Sequence, residues 1–220
     1  WNQFAGLRER MIEYGQFIAD QVGAMEQAEV YFYGLVDCPE EGRKAGEYFN
    51  EHNVDLIFAH AGTYVTSASV LPVHQICPAF TVILNLQPTA RINYAVTTTG
   101  EWLAHCGACP VPELANAFNR AGISCKIVNG LLGMDHTPEI SMTDENTAER
   151  PEAKRAWKEI GEWVKAASVK AGLRGSRFGF LGGYYCGMLD MYSDFAMFQG
   201  QTGAHVEVLE MCDLTRQLET

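Results

Sequence analysis

Apolar residues recur along the first 25 positions at steps of three and four: Phe4, Leu7, Met11, Tyr14, Ile18, Val22 and Met25. That spacing draws one stripe down a helix and predicts an amphipathic helix at the start of the chain. Residues 29–36 (EVYFYGLV) are rich in aromatic and β-branched side chains and predict a buried strand. Pro39, followed by Glu40 and Glu41, reads as a helix start, with the helix running to about His52 and stopping at Asn53. Residues 54–60 (VDLIFAH), 80–86 (FTVILNL) and 124–129 (SCKIVN) are short runs that are apolar almost throughout, as strands covered on both faces should be. Among the helical patterns between them, the clearest covers residues 111–121 and closes on Gly122.

Further on, residues 133–151 are polar, contain two prolines and have no period, so they read as a surface loop. A long amphipathic helix follows over 152–172, carrying Trp157, Ile160, Trp163 and Val164. Residues 177–181 (RFGFL) predict a strand, 190–203 a helix, 205–211 a strand, and 213–220 the opening turns of another helix. This alternation predicts an α/β fold with a doubly wound, mostly parallel sheet of Rossmann or flavodoxin-like type. A domain boundary is expected near 172–176, and ligands should gather outside the carboxyl ends of the strands. The first helix comes before any strand it could lie on. The pattern therefore predicts a segment of a longer polypeptide, with its first strand missing.

Charge narrows the partners. Sixteen Lys and Arg stand against 27 Asp and Glu, a formal charge of −11. Such a surface repels a phosphate backbone, which argues against nucleic acid. No apolar run reaches the roughly 18 to 20 residues that cross a bilayer, and no basic start leads into an apolar signal stretch. The expectation is a cytoplasmic protein with no membrane partner.

The seven cysteines, at 38, 77, 106, 109, 125, 186 and 212, are odd in number and several lie in apolar runs. They fit a reducing compartment better than a disulfide framework. Cys106 and Cys109 alone have chemical spacing, a C-x-x-C ahead of a helix, which in other settings supports thiol redox chemistry. Residues 97–100 (TTTG) do not form the strand such a motif should follow, so the Cys106 thiol is expected to be ordinary. No second C-x-x-C or H-x-x-x-H completes a zinc site. His60 ends a predicted strand and His105 precedes a helix, although a lone histidine is more often packed and bonded locally. Residues 182–194 (GGYYCGMLDMYSD) crowd Tyr184, Tyr185 and Met188 into a strand-to-helix turn. Gln87 closes the run after 80–86 with an amide at the carboxyl edge.

Four stretches, VDLIFAHAGTYVTSASVLPV, VILNLQP, TGEWLAHCGACPVPELANAFNRAGI and RFGFLGGYYCGMLDMYSDFAMFQGQTGAHVEVLEMCDL, follow one another as in the L-arabinose and L-fucose isomerase-like family. The resemblance is to the N-terminal portion of its arabinose-isomerase-like branch. It implies an N-terminal α/β domain over 1–174 and the beginning of a central α/β domain over 175–220. It also implies interconversion of aldose and ketose through an enediol by a homotrimer or homohexamer, with Mn2+ polarising the sugar oxygens. The metal ligands and proton-transfer carboxylates of that family match nothing here, so no catalytic or metal residue is expected in this segment. What it would supply is the wall of the sugar pocket: Trp1, Tyr64, Gln87, Trp102, His105, Tyr184, Tyr185 and Met188. Trp102 stands where arabinose isomerases have Gln, so the resemblance does not fix the sugar. Two other readings stay open: a non-enzymatic sugar-binding α/β module, and a thiol redox protein built on Cys106 and Cys109.

Overall fold

A computed structural model describes residues 3–136 and 145–218. The chain divides into two compact units, Trp1–Lys165 and Ala166–Thr220. The first contains α1 (Leu7–Gly23), α2 (Pro39–Glu51), β1 (Leu56–His60), α3 (Ser67–Ile76), β2 (Phe80–Gln87), α4 (Thr99–Ala104), a 3-10 turn (Cys106–Ala108), α5 (Pro110–Arg120) and β3 (Cys125–Leu131). Helix α6 (Pro151–Leu173) contains the division between the units. The second unit continues with β4 (Arg177–Leu181), α7 (Phe195–Thr202), β5 (His205–Leu209) and α8 (Met211–Leu218).

The first sheet is parallel with order β1-β2-β3, and His60 pairs with Leu84 and Asn85 with Asn129. Its central strand shows why the run 80–86 lacks alternation: Thr81, Val82, Ile83 and Leu84 are all completely buried. Val82, Leu84 and Leu86 meet the α1 stripe (Leu7, Met11, Tyr14, Ile18, Val22) and Ile160 of α6 on one face. Ile83 turns the other way, onto Val111, Leu114 and Phe118 of α5. Ile57 of β1 packs with Ala45 of α2 and Val73 of α3. Two tryptophans of α6 fix that helix: Trp157 Nε1 donates to the Leu132 carbonyl at 2.7 Å, and Trp163 stacks on Phe80 with centroids 5.2 Å apart. In the second unit β4 and β5 form a two-stranded parallel sheet.

Two expectations need correction. Residues 190–203 are not one helix. A 3-10 turn at Leu189–Met191 is followed by extended backbone, and α7 starts only where the Asp194 side chain accepts from the Met197 N–H. That cap satisfies a first-turn donor and sets the helix start.

Residues 29–36 form no strand, although their side chains behave as if they did. The Phe32 ring lies over Gly15, and Val30 lies against Gly23, both on α1. Tyr31 and Tyr33 point the opposite way, into a cluster of rings with Tyr48, Phe49 and His52. Gly34, at φ 109°, shifts the alternation, after which Leu35 joins the α1 side and Val36 the α2 side. The run has period two between two helices, but its backbone bonds to no strand among the described residues. A strand is defined by its ladder, and this one has no neighbour. Hydrogen exchange should separate the two properties: amides of 31–33 and 35–36 should exchange like loop amides while those of 82–86 stay protected. Equal protection of both sets would show that the run is bonded in solution.

Two buried histidines make stability depend on pH. His74 accepts from or donates to Thr81 Oγ1 at 2.8 Å and packs edge-on against Phe118. His60 keeps some residue surface exposed, but its ring is turned inward, with Nε2 donating to the Leu86 carbonyl at 3.1 Å. Burial pushes both imidazoles down to about 4 from 6.5. Between those values the unfolded chain binds protons that the folded chain refuses, so stability should fall as pH drops from 6.5 towards 4. Above 6.5 both states are neutral and the two histidines add no slope. Urea midpoints measured from pH 7.5 to 4 should fall less steeply for His74→Gln than for the parent, and parallel curves would refute this assignment.

Candidate functional site

The carboxyl ends of β1, β2 and β3 carry a row of amides. Gln87 and Asn85 are 3.0 Å apart, and the Asn85 and Asn129 amides meet at 2.8 Å across the β2–β3 pair. Gln87 also touches the turn after α4. Turned so that its amide satisfies that turn, its Nε2 donates to the His105 carbonyl at 2.9 Å and its Oε1 accepts from the Ala108 N–H at 3.2 Å. Gly107 makes this approach possible. A Cβ there would stand 2.0 Å from the Ala61 carbonyl oxygen, an overlap that backbone on both sides cannot relieve.

His105 caps α4, and its side chain is only 3 % exposed. Its Nδ1 donates to the Glu101 carbonyl at 2.9 Å, and Nε2 faces Thr89 Oγ1 at 3.0 Å. The Thr89 hydroxyl has one proton, which goes either to His105 or to the Arg91 carbonyl at 2.8 Å. His105 thus braces the β2 loop against α4, and both ring nitrogens are engaged within the chain. Trp102, on the same helix, is 45 % exposed.

Tyr64, on the loop after β1, is 53 % exposed. Its hydroxyl donates to Glu113 Oε2 at 3.3 Å, while Glu113 Oε1 accepts from Ser67 N–H at the start of α3. Those bonds hold the Glu113 carboxyl below its usual range, the Ser67 amide most strongly. Glu113 in turn, and more weakly the two nearby thiols, push the Tyr64 phenol up. Thr63 Oγ1 donates to the Leu103 carbonyl at 2.9 Å, which fastens the same loop to α4.

The structure therefore brings Gln87, Trp102, His105 and Tyr64 onto the loops and helix starts at one end of the first sheet. Tyr184, Tyr185 and Met188 belong to the second unit. Tyr184 packs between Phe180 and Tyr192, and its hydroxyl accepts from the Ser193 N–H at 3.1 Å, so it organises its own loop. Tyr185 and Met188 are 72 % and 44 % exposed. Trp1 lies outside the described residues.

The expectation of an ordinary Cys106 thiol is not met. Burial first, and the bond to Cys109 second, push it up to about 12. A thiol so held is a poor nucleophile, which weighs against a thioredoxin-like role for Cys106. Among the described residues no group of three or more His, Cys, Asp and Glu is placed to hold a metal ion. The residues present thus do not fit manganese.

Sequence reasoning missed the buried pair behind this end of the sheet. Arg10 Nη1 of α1 meets Glu101 Oε2 of α4 at 2.8 Å, with side chains 5 % and 1 % exposed. A cavity of about 430 Å³ lies beside the pair, between the residues leading into α1 and the start of α4, with Gln3, Phe4, Thr98 and Gly100 in its wall. A signal existed in Thr98-x-x-Glu101, the spacing of a helix capping box. Thr98 Oγ1 does accept from the Glu101 N–H at 3.2 Å, but the carboxylate goes to Arg10.

By fold and site together, this is a mixed α/β protein with a three-stranded parallel sheet and a polar, aromatic edge at the strands' carboxyl ends. No family model matches the chain, and a search among curated proteins finds no match either.

Removing one partner of a buried ion pair strands the other charge. Glu101→Ala should cost about 3–5 kcal/mol in urea unfolding, whereas Arg10→Met with Glu101→Leu should recover most of that loss. A loss under about 1 kcal/mol for Glu101→Ala would mean the pair is solvated.

Proposed function

We propose that the chain forms pocket wall in a metal-dependent sugar isomerase of the L-arabinose/L-fucose type, which interconverts aldose and ketose through an enediol. The observation that carries this reading is the placing of the exposed Tyr64 and Trp102 rings on loops and a helix at the carboxyl end of the sheet, with the Gln87 amide holding the turn beside them. Amides suit sugar hydroxyls and rings suit a sugar's apolar face. The reaction class comes from the sequence resemblance. On this reading the first unit is a lobe of a doubly wound sheet, and the second opens a further α/β domain. The working enzyme is a cytoplasmic homotrimer or homohexamer. Mn2+ and the groups that move the proton are then held by residues other than those described here, and the chain's own part is to bind and orient the sugar.

A second reading rests on the same edge without the reaction: a non-enzymatic sugar-binding module, for which polar and aromatic side chains need no metal. The full-length product of the gene separates the two. Incubated with L-arabinose or L-fucose, it should form ketose in the presence of manganese and lose that activity to a chelator, and Trp102→Ala should raise KM roughly tenfold, as the loss of one stacked ring would. Sugar binding without metal or turnover would establish the binding module instead, and neither binding nor turnover would overturn both readings.

A further inference from the structure

The C-x-x-C turn has a property that sugar binding does not use. Cys106 opens the 3-10 turn and is buried, while Cys109 stands exposed at the N-cap of α5. The Cys106 thiol donates to Cys109 Sγ across 2.8 Å, well inside the van der Waals separation of two sulfurs. The backbone between and after the two residues is constrained. Gly107 between them is pressed onto the Ala61 carbonyl, and Pro110 fixes the first turn of the helix that follows.

We propose that Cys106 and Cys109 form a reversible intramolecular disulfide by exchange with a small-molecule disulfide, with Cys109 as the entry thiol and Cys106 as the resolving one. The order is opposite to that of thioredoxin-like motifs, where the first cysteine attacks. Here only Cys109 can be reached from solvent. It sits at the N-terminus of α5, and the Cys106 S–H points at its sulfur.

The Cys109 thiolate attacks one sulfur of the small disulfide, forming a mixed disulfide and expelling one thiolate, which takes a proton from water. Cys106 then attacks Cys109 Sγ, its proton leaving with the second departing thiol. Two protein thiols are oxidised, and one small disulfide is reduced to two thiols. The bond would tighten the turn whose His105 carbonyl and Ala108 N–H hold Gln87, so the redox state reaches the candidate site through backbone. This inference stands whether or not that edge binds a sugar.

Trypsin should release residues 92–120 as one peptide containing these two cysteines and no other. After incubation of the 220-residue chain with oxidised glutathione and alkylation of the remaining thiols, that peptide should lose two hydrogens and carry no alkyl group. Dithiothreitol should restore alkylation at both positions. Cys106→Ser should trap glutathione on Cys109. In Cys109→Ser, Cys106 should react with glutathione disulfide at least about tenfold more slowly than Cys109 does in Cys106→Ser, because it is buried and Cys109 is exposed. Circular dichroism of both variants checks that they fold. A stable glutathione adduct on the parent chain, or Cys106 reacting as fast as Cys109, would overturn the proposal; so would alkylation of both cysteines after oxidation.

Discussion

The end of the sheet that carries the candidate site depends on one interaction, the ion pair between Arg10 and Glu101. These residues are 91 positions apart, and their side chains are almost wholly withdrawn from water. Two charges in that setting hold each other in place, because either alone would bear an uncompensated desolvation cost. The pair fastens α1 to α4, and α4 is short. Its six residues could not hold their own position, since an isolated helix of that length is not stable. Everything reached through α4 inherits the constraint: the exposed Trp102, the His105 brace to Thr89, and the turn pressed against Ala61. Tyr14 lies in the same environment, and burial pushes its phenol above the ordinary range, with no hydrogen-bond partner for its hydroxyl among the described residues. The polar centre behind the site is thus mostly, not completely, satisfied.

Local periodicity made much of the fold legible. The α1 stripe, the apolar runs of β1, β2 and β3, and the cap at Gly122 are each decided by residues within a few positions of one another, and each appears where the pattern points. The candidate edge was legible too, because strand ends and turn residues mark it in the sequence. What the sequence could not carry were facts about pairs. Glu101 reads as a capping-box acid and becomes half of an ion pair only because Arg10 arrives from the other end of the unit. His105, which only the resemblance places in a pocket wall, is occupied by Thr89, 16 residues earlier. Glu113 reads as a first-turn acid of α5, yet it serves the start of α3 and the Tyr64 hydroxyl as well. In all three, long-range geometry chose among partners that composition leaves equal.

Residues 29–36 show the same limit from the other side. Everything local argues for a strand: aromatic and β-branched residues, alternating faces, helices above and below. Those side chains pack on α1 and α2. A ladder needs a second backbone at hydrogen-bonding distance, and side-chain pattern says nothing about whether one is there. The same accounting applies to β1. Its Ala61-side amides point to β2, as the Ala61 N–H to Leu84 carbonyl bond at 3.0 Å records. The alternation of a parallel ladder then turns Leu56, Phe58 and His60 towards the opposite edge, where the described residues offer no paired strand. Unpaired backbone groups cost about 1–3 kcal/mol each when they are dry and little when water reaches them. The extended run and the β1 edge therefore keep their present form only as far as solvent reaches both. Side-chain contacts with α1 and α2 hold the run extended, although among the described residues it joins no ladder.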